Sequence, residues 1–406
     1  MTIKTKGGAN IYYLQTDKFK TTTVSVNIFR PIEGEAAANA LLTRILKTAS
    51  AKYASKTEIE KHLEWMYGAV FAADVNKKGD MQILNFEITA PSDVYTGEDT
   101  AAAAAEFLKE IIYNPKIKDG MFDDEIFNIE KENLKNLIYA SENDKKEFAT
   151  QRCIEEMCGA EAFAIPRLGT AAQLERITNK ALYEHYKNVI KNSGVDIFVS
   201  GTCDTEAVKN IFDVAESCGN ITEPLRLAER NTVKEIHEIM DVNQGKLVIG
   251  MTVDAPFYDT VLFNSVYGSG THSKLFNNVR EKLSLAYYAY SRYVRSKSVI
   301  IVGTGIEFDK YVPARDEVFN QLKEMQNGNI SDFEIESAKK FIETIYISMK
   351  DDPRRMIDFY IAQNIAGDTD GIDEFIAGIN KVTRNDIIKA AKSVKANTIY
   401  FLKGTN

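Results

Sequence analysis

Apolar and polar positions along the chain first fall into two strand-like segments. NIYYLQ (10–15) and TTTVSVNIF (21–29) are rich in β-branched and aromatic residues, with TDKFK between them as a turn. An Ala- and Leu-rich helix follows around GEAAANALLTRILKTA (34–49). KTEIEKHLEWMYG (56–68) reads as a second helix, ended by Gly68. AVFAADVNKKGDMQILNFEIT (69–89) reads as a hairpin, and long helices run through 100–115 and 122–157. TNKALYEHYKNVI (178–190) predicts a helix and VDIFVSG (195–201) a strand.

The second half replays this order. GKLVIGMTV (245–253) is a strand, YDTVLFNSVYG (258–268) and SKLFNNVREKL (273–283) are helices, and 286–306 is a hairpin. Helices follow over 312–326 and 331–367, then TRNDIIKAAKSV (383–394) and the strand TIYFLKG (398–404). Local matches accompany the order: DEIFNIEK (124–131) with FEIESAKK (333–340), and IFVSG with IYFLKG. Duplication is the reading. It predicts a first domain over 1–218, a linker over 219–240 and a second domain over 241–406. The expected class is α+β, each domain a mainly antiparallel sheet with helices on one face.

Composition narrows the function. A formal net charge of −8 offers no basic excess to offset phosphates, which argues against nucleic acid as a partner. No stretch has the length and apolarity of a membrane-spanning helix. MTIKTKGGANIYYL lacks the apolar core of a signal peptide, so a cytoplasmic location is expected. Cys153, Cys158, Cys203 and Cys218 stand at no metal or redox spacing.

Local motifs supply no chemistry. YGSGTHSKLF (267–276) opens like a phosphate loop, but Ser273 precedes Lys274 and Leu275 follows it, where Gly and Ser or Thr are required. HEIMD begins as a zinc helix would, yet Asp241 stands one turn after His237 where a second His is needed. His62 and His185 lie on amphipathic helices and are expected to pack or face solvent.

A resemblance covers nearly the whole chain. GSGTHSKLFNNVREKLSLAYYAYSRY (268–293) resembles the second-domain signature of the pitrilysin/insulinase family of zinc metallopeptidases, which includes the mitochondrial processing peptidases. YNPKIKDGMFDDEIFNIEKENL (113–134) and IPRLGT (165–170) resemble first-domain segments of that family. The resemblance implies a clamshell half built from two homologous domains. The family's zinc motif, His-x-x-Glu-His plus a downstream Glu, matches LLTRI here: the ligand positions fall on Leu41 and Ile45, the base on Arg44 and the third ligand on Leu137. Leu and Ile have no lone pair for a metal, and Arg cannot act as a base because its pKa exceeds about 12.

By the same resemblance, Arg280 and Tyr287 match the pair that reaches the substrate carbonyl from the second domain. Attack on a peptide carbonyl puts negative charge on its oxygen, and preorganised donors stabilise that charge. The structural alternative is that Arg280 makes an ion pair and Tyr287 packs the hairpin. Some bacterial members work as two chains, one carrying zinc and the other supplying the Arg–Tyr pair. This sequence resembles the zinc-less chain, with NQGKLVIGM (243–251) and THSKLF (271–276) close to that subgroup. The resemblance implies no cofactor in this chain, zinc only in a homologous partner chain, and a peptide substrate, with self-pairing open to the isolated chain. A non-catalytic peptide-binding or assembly scaffold is the alternative. An independently active peptidase with unusual ligands is a third.

Overall fold

The computed structural model describes residues 2–218 and 232–404. The chain divides into two compact units that are not continuous in sequence. One comprises Met1–Tyr139, Ile165–Thr222 and Pro353–Ile365, the other Ala140–Ala164, Glu223–Asp352 and Ala366–Asn406.

The first unit contains β1 (Thr2–Lys4), β2 (Asn10–Gln15), β3 (Thr21–Pro31), β4 (Val70–Lys78), β5 (Met81–Pro91), a small hairpin of β6 (Ile117–Lys118) and β7 (Met121–Phe122), and β8 (Gly194–Gly201). Its main sheet has the order β1-β2-β8-β3-β5-β4. The second unit contains β9 (Lys234–Ile239), β10 (Gly245–Thr252), β11 (Tyr288–Val294), β12 (Val299–Ile306) and β13 (Lys395–Lys403), in the order β11-β12-β10-β13-β9. Setting β1 aside, the two orders match strand for strand. In each, one pair is parallel, β2 with β8 and β9 with β13, and the other pairs are antiparallel. The duplication and the α+β class thus stand in the topology.

One expectation is corrected. Of the segment read as a linker, residues 219–231 lie outside the described residues, but Lys234–Ile239 is β9, paired along Thr398–Lys403 of β13. Its counterpart is β2. The alternation of EIHEI, exposed on one side and half-buried on the other, is a strand pattern.

The strand faces explain the long apolar runs. Val24, Val26 and Ile28 of β3 join Leu84, Phe86 and Ile88 of β5 in the main core under the helices. Phe29, Met81, Ile83 and Phe198 point the other way and meet Ile357, Ile361 and Ile365 of the helix Pro353–Ile365. Those three residues recur every four positions, one face of a helix. A sheet buried on both faces needs apolar side chains at successive positions. The second unit repeats the device: Cys153, Ile154 and Met157 of the helix Lys145–Cys158 pack with Val248, Val299, Ile301, Tyr400 and Leu402. Each half of the chain therefore contributes a helix to the other unit's sheet, in addition to the helices expected on one face. Among the described residues, no helix is long and apolar enough to cross a membrane.

Candidate functional site

The helix Ala36–Leu46 carries the positions matched to a zinc motif. Leu41 is fully buried and Ile45 is 4% exposed, and both belong to the main core of the first unit. The face expected to be apolar is packed against other apolar side chains. Arg44, at the base position, extends to the helix Asp124–Ser141, where its guanidinium nitrogen lies 2.8 Å from a Glu130 oxygen. Asn133 Nδ2 donates to the other Glu130 oxygen at 3.4 Å, and Thr48 Oγ1, which donates to the Arg44 carbonyl at 2.8 Å, lies 3.5 Å from it. Leu137, at the third ligand position of that helix, is instead exposed. The structure brings Arg44 to Glu130, packs Leu41 and Ile45 into one core and leaves Leu137 exposed. These side chains do not fit a zinc ion. Among the described residues, no group of three or more His, Cys, Asp or Glu is placed to hold a metal.

The histidines are accounted for individually. His62 stacks among Tyr53, Trp65 and Phe107, and burial lowers its pKa. His185 Nε2 lies 2.7 Å from Asn39 Oδ1. His237 sits on β9, beside Glu235 and Tyr311, so it is a strand residue and no part of a zinc helix. His272 lies 3.3 Å from Ser265 Oγ and against the Phe341 ring.

The second unit builds a different site from the stretch that opened like a phosphate loop. The helix Phe257–Gly268 ends at a glycine because a Cβ there would lie 2.4 Å from Ser291 Oγ. Gly270 takes φ 102°, a conformation L side chains rarely adopt. Ser273 Oγ donates to the Gly270 carbonyl at 2.7 Å and closes the turn. Lys274 is buried in an ion pair with Glu334 at 2.8 Å, so it is committed to the fold.

The next turn, Leu275–Lys282, is a π-helix, with Leu283 N–H bonded to the Asn278 carbonyl five residues back. Such wide turns recur at functional sites. Leu275 and Val279 fix it in the core. Arg280 lies on the outer face, its side chain 42% exposed, with its guanidinium carbon 4.6 Å from the Phe276 ring centre. Its nearest carboxylate, Glu281, is its own neighbour at 3.6 Å, an exposed pairing of little strength.

Four residues after Arg280, Ser284 takes φ 48°, turning the chain into β11. Tyr287 N–H donates to the Gly305 carbonyl at 2.8 Å, pinning its backbone to β12. Its side chain is 56% exposed, and its hydroxyl donates to the Glu307 carboxylate. That bond raises the Tyr287 pKa above the ordinary tyrosine value. Tyr288 and Tyr290 differ: their rings lie over Gly305 and Gly303, where a Cβ would come within 2.4 and 2.6 Å of ring atoms. Lys146 Nζ caps the Tyr290 ring at 4.4 Å. The two packing tyrosines are thereby separated from the exposed one.

Arg280 and Tyr287 line one cleft of about 380 Å³, together with Glu281, Ser284, Leu285, Ala286, Glu307 and Lys310. It holds a fixed cation and a phenol among its lining side chains. Glu307 and Lys310 are cleft residues that the sequence reading did not single out; in GIEFDK they are charged positions among many.

Residues 176–342 match the family model described as "Peptidase M16 inactive domain". The chain is 31% identical, over 98% of its length and 96% of the other's, to "Probable inactive metalloprotease YmfF" of Bacillus subtilis. It is 23% identical, over 55% of its length and 57% of the other's, to "Uncharacterized zinc protease YmxG" of the same organism. A crystal structure of a conserved protein from Enterococcus faecalis superposes with TM-score 0.92 at 29% identity, covering 100% of this chain and 98% of that one. The structure of a peptidase M16 inactive domain from Pseudomonas fluorescens gives TM-score 0.82 at 17% identity, with 100% and 98% covered, a likeness of fold.

Proposed function

Because this chain belongs to the M16 metallopeptidase family and is homologous to a member described as inactive, we propose that it is the non-zinc subunit of a two-chain peptidase. Its second unit supplies Arg280 and Tyr287 to the carbonyl oxygen of a bound peptide. Its fold supplies half of a peptide chamber, and a homologous zinc-bearing chain supplies the other half.

The observation that carries this reading is that Arg280 and Tyr287 share one open cleft while neither is consumed by the core. A structural arginine would be expected in a stronger pairing than the exposed Glu281 contact. A structural tyrosine would be expected to lie on the sheet as Tyr288 and Tyr290 do. Arg280 stays charged at any working pH. The phenol donates a hydrogen bond without changing charge. Two such donors, once brought to one oxygen, would favour the charge that develops there over the neutral carbonyl. The metal's chemistry, activation of water, is assigned to the partner chain. Four cysteines outside any disulfide agree with a reducing, cytoplasmic setting for this complex.

The experiment is reconstitution. This chain is used to capture its partner from the source cells, and each chain and the mixture are assayed with an internally quenched peptide. The reading expects a His-x-x-Glu-His chain in the eluate and cleavage only by the mixture. The match to an inactive-type domain favours a second reading, a non-catalytic peptide-binding or assembly scaffold of the same fold. That reading expects no zinc-bearing partner and no cleavage.

A further inference from the structure

The Tyr287 hydroxyl has one proton, and it is given to Glu307. We propose that Glu307 is a positioning residue that latches Tyr287 in the resting chain, and that a peptide entering the cleft must draw the hydroxyl away from it. This inference rests on the reading of Tyr287 as a carbonyl contact.

The argument is one of donors and acceptors. A peptide carbonyl oxygen only accepts, so it needs the proton that Glu307 holds. A carboxylate has no proton to offer, and its charge beside a developing oxyanion is unfavourable. The latched arrangement and the arrangement that contacts substrate are therefore mutually exclusive.

The backbone permits the exchange. Tyr287 is pinned through its N–H to Gly305, and Glu307 follows the end of β12, its carbonyl accepting from Lys310 N–H at 3.1 Å. The main chains on both sides are fixed, so the change is confined to side chains. Tyr287 is 56% exposed and opens onto the cleft, so its ring can turn without disturbing the core. Lys310 lines the same cleft as a cation toward which the released carboxylate can turn, leaving Arg280 to the substrate.

A latch lowers apparent affinity or rate in proportion to the fraction of chains that are open. Glu307→Gln keeps an acceptor of the same shape and removes its charge. Hydrogen bonds to charged groups are stronger than neutral ones, so the variant shifts the balance toward the open form by about fivefold. A supporting glutamate, which merely aimed Tyr287 at the substrate, would act in the opposite direction.

Two measurements test this. In the full chain labelled with [ζ-13C]tyrosine, the resonance lost in Tyr287→Phe is followed through alkaline titration. The latch predicts ionisation above that of ordinary exposed tyrosines, falling in Glu307→Gln; an unchanged titration overturns it. In the reconstituted complex with an internally quenched peptide, the latch predicts kcat/KM raised about fivefold by Glu307→Gln. A lowered or unchanged kcat/KM overturns it while Tyr287→Phe still reduces turnover. If Tyr287→Phe leaves turnover intact, the carbonyl-contact reading itself fails, and the latch falls with it.

Discussion

Arg44 stands 2.8 Å from Glu130, so the position matched to a general base holds one end of an ion pair between two helices. A fixed cation there is incompatible with a nearby dication, and its charge is balanced by a glutamate that is only 8% exposed. The pair links Ala36–Leu46 to Asp124–Ser141 without a metal.

Removing one partner leaves the other charge buried. Such losses reach about 3–5 kcal/mol for fully buried pairs and about 0–1 kcal/mol for exposed ones. The Arg44 and Glu130 side chains are 21% and 11% exposed, which places Arg44→Met between these limits, at about 2 kcal/mol. Arg44→Met with Glu130→Gln removes both charges and is expected to cost less than Arg44→Met alone. Urea denaturation of these two variants and of Glu130→Gln alone checks this; additive losses would mean that the pair is not coupled.

The positions matched to metal ligands have different environments. Leu41 is fully buried, so Leu41→Ala removes core contacts and is expected to cost about 2–5 kcal/mol. Leu137 is 45% exposed, so Leu137→Ala is expected to change stability by about 0.5 kcal/mol or less. Thermal unfolding of both variants measures the contrast. Adding zinc should not shift either melting temperature.

His185 joins a buried polar chain. Its Nε2 lies 2.7 Å from Asn39 Oδ1, Asn39 Nδ2 donates to Gln82 Oε1 at 2.8 Å, and Gln82 Nε2 donates to the Arg167 carbonyl at 2.8 Å. Burial, with some help from Arg30, holds the His185 pKa below its ordinary value of 6.5, while Glu35 opposes the shift. The folded state thus prefers neutral His185. Its contribution is fully present above pH 6.5 and is lost as pH falls through the lowered value. His185→Gln is expected to flatten the decline of the urea midpoint below pH 6.5. Identical pH profiles would show that His185 is not a source of acid sensitivity.

Much of the fold was legible because both halves obey one pattern. Apolar runs located β3, β5, β8, β10, β12 and β13, and local matches pointed to the duplication. β9 was hidden by its charged neighbours, although its counterpart NIYYLQ in the first half could have revealed it. The exchange of the helices Lys145–Cys158 and Pro353–Ile365 could not be read. Periodicity states which face of a helix is apolar, not which sheet that face meets. The π-winding of Leu275–Lys282 was hidden for a related reason, since its apolar spacing also suits an α-helix. At the site, motif positions located Arg280 and Tyr287. Glu130 stood unremarked within DEIFNIEK and Glu307 was not singled out, because a carboxylate acquires its role from what folding brings beside it.

The direct test of the central claim is the turnover of the reconstituted two-chain complex carrying Tyr287→Phe in this chain. Removing one preorganised donor to a developing oxyanion lowers kcat by on the order of 10²–10³. The account predicts a fall of that size, with assembly of the complex unchanged. A wild-type kcat in the variant complex would contradict it.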